Sequence, residues 1–173
     1  MWALKAASAQ TESGRQHAGR GCHRQAAARR DTARAMSQEN VECLHGVYEL
    51  LNTRFVALKG GDMDGLLAFF HPEVVIEMVD APDPETYHGH DGVRTWFNDA
   101  FGPWAGVHVE AEEIRESGQW TVALLHTSLR GEASGVELEL STAAFHQFRG
   151  GRIVLDRVYL DRDEGLEAFA LKE

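Results

Sequence analysis

The stretch that decides the fold is WTVALLHTSLRGEASGVELELSTAAFHQFRGGRIVLDRVYLD, residues 120–161. Apolar and polar residues alternate along Trp120–Arg130, Val136–Phe148 and Ile153–Asp161, and a period of two predicts strands. The joins, Gly131–Gly135 and Arg149-Gly-Gly, are short and carry glycine, so each strand turns back beside the one before it. One step toward the N-terminus, Val107–Arg115 has the same period and reaches Trp120 through Glu116-Ser-Gly. The reading is a four-strand antiparallel meander.

Upstream the spacing changes to three and four. Val41, Leu44, Tyr48, Leu51, Phe55 and Leu58 mark one face of a long helix that ends at Gly60-Gly61, where a left-handed cap is easy. Asp62 reads as the N-cap of a second, short helix with Leu66, Leu67, Phe69 and Phe70, stopped by His71-Pro72. Val74–Val79 is β-branched enough for a strand, and Asp80–Thr86, with Pro82 and Pro84, reads as a loop. Asp91 reads as the cap of a third helix carrying Val93, Trp96, Phe97, Ala100 and Phe101, closed by Gly102-Pro103. A last helical turn is predicted over Glu164–Leu171.

A sheet with one apolar face needs a cover, and the first three helices supply it. The expected architecture is α+β: a cone-shaped, curved antiparallel sheet wrapped around a long N-terminal helix, with a pocket inside. No internal repeat is visible.

Charge divides the chain of 173 residues. Residues 1–35 carry seven Lys/Arg against two Asp/Glu, whereas residues 36–173 carry ten against 25. A domain this acidic repels phosphate backbones, so no nucleic-acid partner is expected. No apolar run approaches the roughly 20 residues of a membrane span. Cys22 and Cys43 form neither a disulfide framework nor a metal-type spacing, which points to a reducing, cytoplasmic setting.

Residues 1–35 are rich in Ala, Arg, Gln, Gly and Ser and hold only Trp2 and Leu4 as large apolar side chains. Such composition does not offset its ordering entropy. The expectation is a disordered extension set by the choice of start site, or a loosely attached helix around Arg24–Arg34, with the domain running over 36–173. The arginine content also fits an organelle transit peptide.

Several strings together resemble the SnoaL-like, polyketide cyclase-related family of the nuclear transport factor two-like superfamily. They are Gly61-Asp-Met-Asp-Gly-Leu-Leu, His71-Pro-Glu-Val, Tyr87-His-Gly-His-Asp-Gly-Val-Arg, Ser134-Gly-Val-Glu-Leu-Glu, Phe148-Arg-Gly-Gly-Arg-Ile and Val158-Tyr-Leu-Asp-Arg-Asp-Glu-Gly-Leu-Glu-Ala. They span nearly all of 40–171 and are mostly caps, turns and strand ends. The resemblance implies the cystatin-like α+β roll, and a shared fold does not carry a shared chemistry.

Within that superfamily, ketosteroid isomerase uses a carboxylate base with a tyrosine and a protonated Asp as oxyanion donors. Aligned through Gly61-Asp62, the resemblance places the tyrosine at Arg54 and the base at Met78; aligned through Gly89, it places the base at Asp80. The protonated Asp falls at Ala144. Both donors are missing, which speaks against that isomerase chemistry.

Asp80 is then the first catalytic candidate, as a carboxylate with raised pKa at an apolar mouth; the alternative is a solvated residue before a proline-rich loop. Glu77 is a similar carboxylate, and strand alternation lets only one of the two point inward. His126 and His146 lie mid-strand among apolar neighbours, and each is either a base or a structurally satisfied core histidine. His88 and His90 sit at i, i+2 in a loop, a spacing that argues against a metal site. Arg54 lies at the edge of the first helix's stripe; turned inward it binds a carboxylate or enolate oxygen or pairs with Asp80 or Asp156, and turned outward it is ordinary surface. Phe55, Met78, Trp96 and Phe97 are the expected pocket lining or plain core. No nucleophile motif, phosphate loop, metal or cofactor signature appears.

The expected function is a small-molecule-binding SnoaL-like protein that works without cofactor or metal by acid–base chemistry of isomerase, cyclase or hydratase type on a small apolar substrate. The alternative is a non-catalytic ligand-binding or association domain, a homodimer joined through the outer sheet face. A cavity of roughly 300 Å³ lined by Asp80 or His146 with aromatics supports the first; a filled cone supports the second.

Overall fold

The computed structural model describes residues 18–117 and 119–170, with side-chain detail from Ser37 onward. The chain divides into two units, Met1–Met36 and Ser37–Glu173. The expected disorder of residues 1–17 lies outside the described residues, and the backbone over Arg24–Arg34 is helical. All strands among the described residues belong to the second unit.

Helix α1 (Ala18–Lys59) carries the predicted apolar stripe: Leu44, Tyr48, Leu51, Phe55 and Leu58 are buried, Val41 is half-buried, and Val47, not in the predicted set, is buried with them. It is kinked at Arg54, whose backbone leaves helical geometry (φ −124°, ψ 16°). The helix ends as expected on Gly61 with φ 94°, whose amide donates to Leu58 O at 3.0 Å. Asp62 does not cap the next helix. The N-cap of α2 (Asp64–Leu67) is Met63 with no side-chain cap bond, and Asp62 instead pairs with Arg54.

His71-Pro72 does not stop a helix but lies inside strand β1 (Phe70–Met78). Proline cannot donate to a ladder, and the pairing accordingly jumps between Phe70 and Val75. The predicted loop contains a short strand, β2 (Thr86–His88), paired antiparallel to β1. Helix α3 (Gly89–Phe101) starts two residues ahead of Asp91, with His88 as N-cap. Gly89 has φ 65°, and a Cβ there would meet Pro72 O at 3.1 Å.

The meander follows as β3 (Trp104–Ser117), β4 (Trp120–Gly131), β5 (Glu137–Arg149) and β6 (Arg152–Tyr159). The six strands form one curved sheet in the order β2-β1-β6-β5-β4-β3. The sheet is not wholly antiparallel: β1 joins β6 in parallel.

Alternation sorts the faces. Thr121, Ala123, Leu125, Thr127 and Leu129 of β4 are buried with Ala144 and His146 of β5 on the face toward α1 and α3. The opposite parity, Val122, Ala143, Phe145 and Tyr159, forms a second buried cluster. Helix α4 (Arg162–Ala170) covers this outer face, with Phe169 stacked on Phe145 at 4.9 Å between centroids. The cover is thus on both faces, where the helix pattern predicted one.

Candidate functional site

The inner face does not pack solid against the helices. A cavity of about 310 Å³ remains, walled by Leu44, Val47, Tyr48 and Leu51 of α1, by Trp96, Ala100 and Phe101 of α3, and by inward residues of the sheet. The wall is apolar almost throughout, which suits a small apolar ligand. Leu138, still 38 % exposed, marks where it meets solvent. Among the described residues no Lys or Arg lines it, and Asp156 is its one carboxylate.

His146 and Asp156 sit in this wall, 3 % and 6 % exposed. They are register partners across β5 and β6, so their side chains leave the same face side by side. His146 Nε2 lies 3.3 Å from Asp156 Oδ1, within charge-pair distance but off the line of a straight hydrogen bond. His146 Nδ1 lies 3.2 Å from the Thr121 carbonyl oxygen, which can only accept, so Nδ1 carries a hydrogen. Nε2 and Oδ1 would then face each other with lone pairs alone unless one proton sits on either atom. Burial pushes the Asp156 carboxyl above its ordinary range, opposed in part by the charge of His146.

Tyr48 reaches the same region from α1. Its hydroxyl is buried without a hydrogen-bond partner. Desolvation, and then the charge of Asp156, hold its pKa well above the ordinary phenol value. Trp96 Nε1 is likewise buried and unpartnered.

The sequence-predicted residues part company here. His146, Met78 and Trp96 line the cavity. Asp80 does not: its Oδ1 accepts from Leu160 N at 2.7 Å and its Oδ2 from Asp161 N at 2.8 Å, tying the end of β1 to the start of α4. His126 has outer-face parity, is 38 % exposed in its side chain and lies 2.9 Å from Glu139 Oε2. Arg54 turns outward to Asp62. Phe55 and Phe97 are plain core, packed on each other at 6.1 Å between centroids. Glu77 pairs with Arg157 at 2.6 Å, away from the cavity wall. Among the described residues, no three His, Cys, Asp or Glu side chains gather closely enough to hold a metal.

The sequence offered Asp156 only as a partner for Arg54, which pairs with Asp62 instead, and did not mark Asp156 or Tyr48 as site residues. Tyr48 was visible only as one member of the apolar stripe. Asp156 had a signal, a lone acid in the apolar strand Ile153–Val158, but its neighbour depends on register.

A cone-shaped α+β unit with a largely apolar internal cavity is the class that fold and site define. The SnoaL-like domain model matches residues 52–155, and the chain belongs to that family. Among solved structures, it is similar to an NTF2-like protein of unknown function from Burkholderia pseudomallei (24 % identity, TM-score 0.58, covering 75 % of this chain and 95 % of that one). It is also similar to a Catenulispora acidiphila protein of ketosteroid isomerase-like fold in complex with trimethylamine (15 %, 0.57, 69 % and 85 %). A third is an LEH-like epoxide hydrolase from Mycobacterium tuberculosis (18 %, 0.56, 79 % and 98 %). At these identities the likeness is one of fold. No curated protein matches the sequence.

Proposed function

We propose that the chain binds a small, mostly apolar molecule in its cone and performs acid–base chemistry on it without a cofactor, of isomerisation, cyclisation or hydration type. The observation that carries this is the His146–Asp156 pair set in the wall of an apolar cavity of about 310 Å³. A group that both holds a proton and has a lone pair beside it can deliver and remove protons in turn, and general acid–base transfer contributes about 10²–10⁴ in rate. Seclusion from water strengthens each charge–dipole contact inside. Cys43 is a free, buried thiol, in keeping with a reducing, cytoplasmic setting, and among the described residues no helix is long and apolar enough to cross a membrane.

The association reading is weaker on one specific point: helix α4 already occupies the outer-face cluster around Phe145 and Tyr159. A homodimer through that face is left with the β4–β5 strip bearing His126, Ser128 and Glu139. The test is deuterium exchange at carbon next to the carbonyl of small cyclic ketones in heavy water, followed by NMR. Exchange faster than buffer, and lost in His146→Gln, is expected. Ligand binding without any exchange would leave the non-catalytic reading in place.

A further inference from the structure

We infer that the cavity takes a chain-shaped ligand, a linear alkyl ketone or enone of medium length. Its carbonyl end lies inward at His146 and Asp156, and its alkyl tail runs out along β5 to Leu138. The inference rests on the acid–base reading above and adds the substrate class of that site.

The extent of the wall is the first observation. On β5 the cavity is lined by His146, Ala144, Thr142, Leu140 and Leu138 in turn. That is about 27 Å of strand at about 3.4 Å per residue. The stretch of α1 that lines it, Leu44–Leu51, covers only about 11 Å at about 1.5 Å per residue. Register continues the same rows onto the neighbouring strands: Asp156 stands beside His146, Val158 beside Ala144, Leu125 beside Thr142 and Leu129 beside Leu138. The lined sheet surface is a strip, far longer along the strands than the helix that faces it.

The second observation is how polarity changes along the strip. The ionisable pair at the inner end is 3 % and 6 % exposed. At the other end Leu138 is 38 % exposed, and Leu140 and Leu160 are half-buried. Alternation turns the charges of these last rows, Arg130, Glu137 and Glu139, to the opposite face. The mouth is therefore apolar where it meets water, at a cost proportional to its apolar area. A tail laid along the leucines takes that area out of water, whereas a polar end group placed there meets no charged side chain. The reacting end belongs inside and the tail outside.

Volume sets the size. An apolar protein cavity of about 150 Å³ takes one benzene, and this one of about 310 Å³ has room for about twice as many heavy atoms. Drawn out along the strip, they make one chain of about eight to ten carbons rather than two fused rings.

Calorimetry on the full chain with 2-pentanone, 2-hexanone, 2-octanone and cyclooctanone tests this. Affinity of the linear ketones is expected to rise about fourfold for each methylene added. Cyclooctanone has the carbonyl and the carbon count of 2-octanone in compact form, and the linear ketone should bind about tenfold or more tighter. Leu138→Asp changes a residue already in contact with solvent, so melting temperature should hold; 2-octanone should weaken about tenfold and 2-pentanone by less than about twofold. Affinity that stops rising beyond 2-pentanone, or cyclooctanone binding as tightly as 2-octanone, overturns the chain-shaped class while the binding reading survives. Unaltered 2-octanone binding in Leu138→Asp overturns the course of the tail. Failure of all four ketones to bind overturns both this inference and the proposed function.

Discussion

His146 Nε2 and Asp156 Oδ1 face each other at 3.3 Å in the wall of a largely apolar cavity. Removing one partner strands the other, and breaking a buried pair in this way costs about 3–5 kcal/mol. Asp156→Ala should therefore lower unfolding free energy by an amount in that range. His146→Leu with Asp156→Leu together should cost less than the two single changes summed. Urea unfolding of the four chains in a double-mutant cycle measures this, and strict additivity would mean the pair is uncoupled.

The raised Asp156 carboxyl makes stability depend on pH with a defined sign. The folded chain holds this proton more tightly than the unfolded one, whose aspartate titrates at about 3.9. The contribution is therefore complete below that value and is lost as pH rises through the higher folded value. His146 and Tyr48 face the same carboxyl, and the charge on His146 opposes the shift. Asp156→Asn lacks the titration, so its melting temperature relative to wild type should climb as pH goes from 4 to 7. A difference that is flat with pH would contradict the assignment.

Asp80 holds two backbone amides and lies off the cavity wall, so its replacement should be felt in stability. Asp80→Ala leaves Leu160 N and Asp161 N without their acceptor, a loss of about 1–3 kcal/mol. Ligand affinity of the folded fraction should stay within about threefold. A large loss of affinity or exchange rate with unchanged denaturation midpoint would return Asp80 to the chemistry.

Ala144 lines the cavity beside His146 on β5 and is 3 % exposed. Ala144→Met adds volume where space exists, so overpacking strain is avoided and melting temperature should hold or rise. Binding of any cavity ligand should fall by tenfold or more. Unaltered binding would place the ligand elsewhere.

The meander, the long helix and its glycine stop, and the third helix were all legible because each rests on a local period or a local backbone demand. The early strands were less so. At His71-Pro72 a local rule about proline was overridden by pairing with β6, which tolerates the proline in an irregular stretch of register. The cavity was predicted with its histidine, but Phe55 and Phe97 could not be told from lining residues, since core and wall have the same composition. Asp80 misled because a carboxylate at a strand end looks alike whether it faces a ligand or two backbone amides.

By itself the sequence determined the sheet's alternation, while His126 and His146 each stayed open between a base and a core histidine. What stands beside His146 was decided only in three dimensions. Reflecting the β5–β6 hairpin about Gly150-Gly151 pairs Phe148 with Ile153, and an unbroken ladder would set His146 against Leu155. The register shifts by one between Gln147 and Phe148, so that Gln147 faces Leu155 and His146 faces Asp156. One inserted residue turns every later side chain of a strand to the other face. That bulge puts an acid beside the imidazole, and no local pattern in the chain announces it.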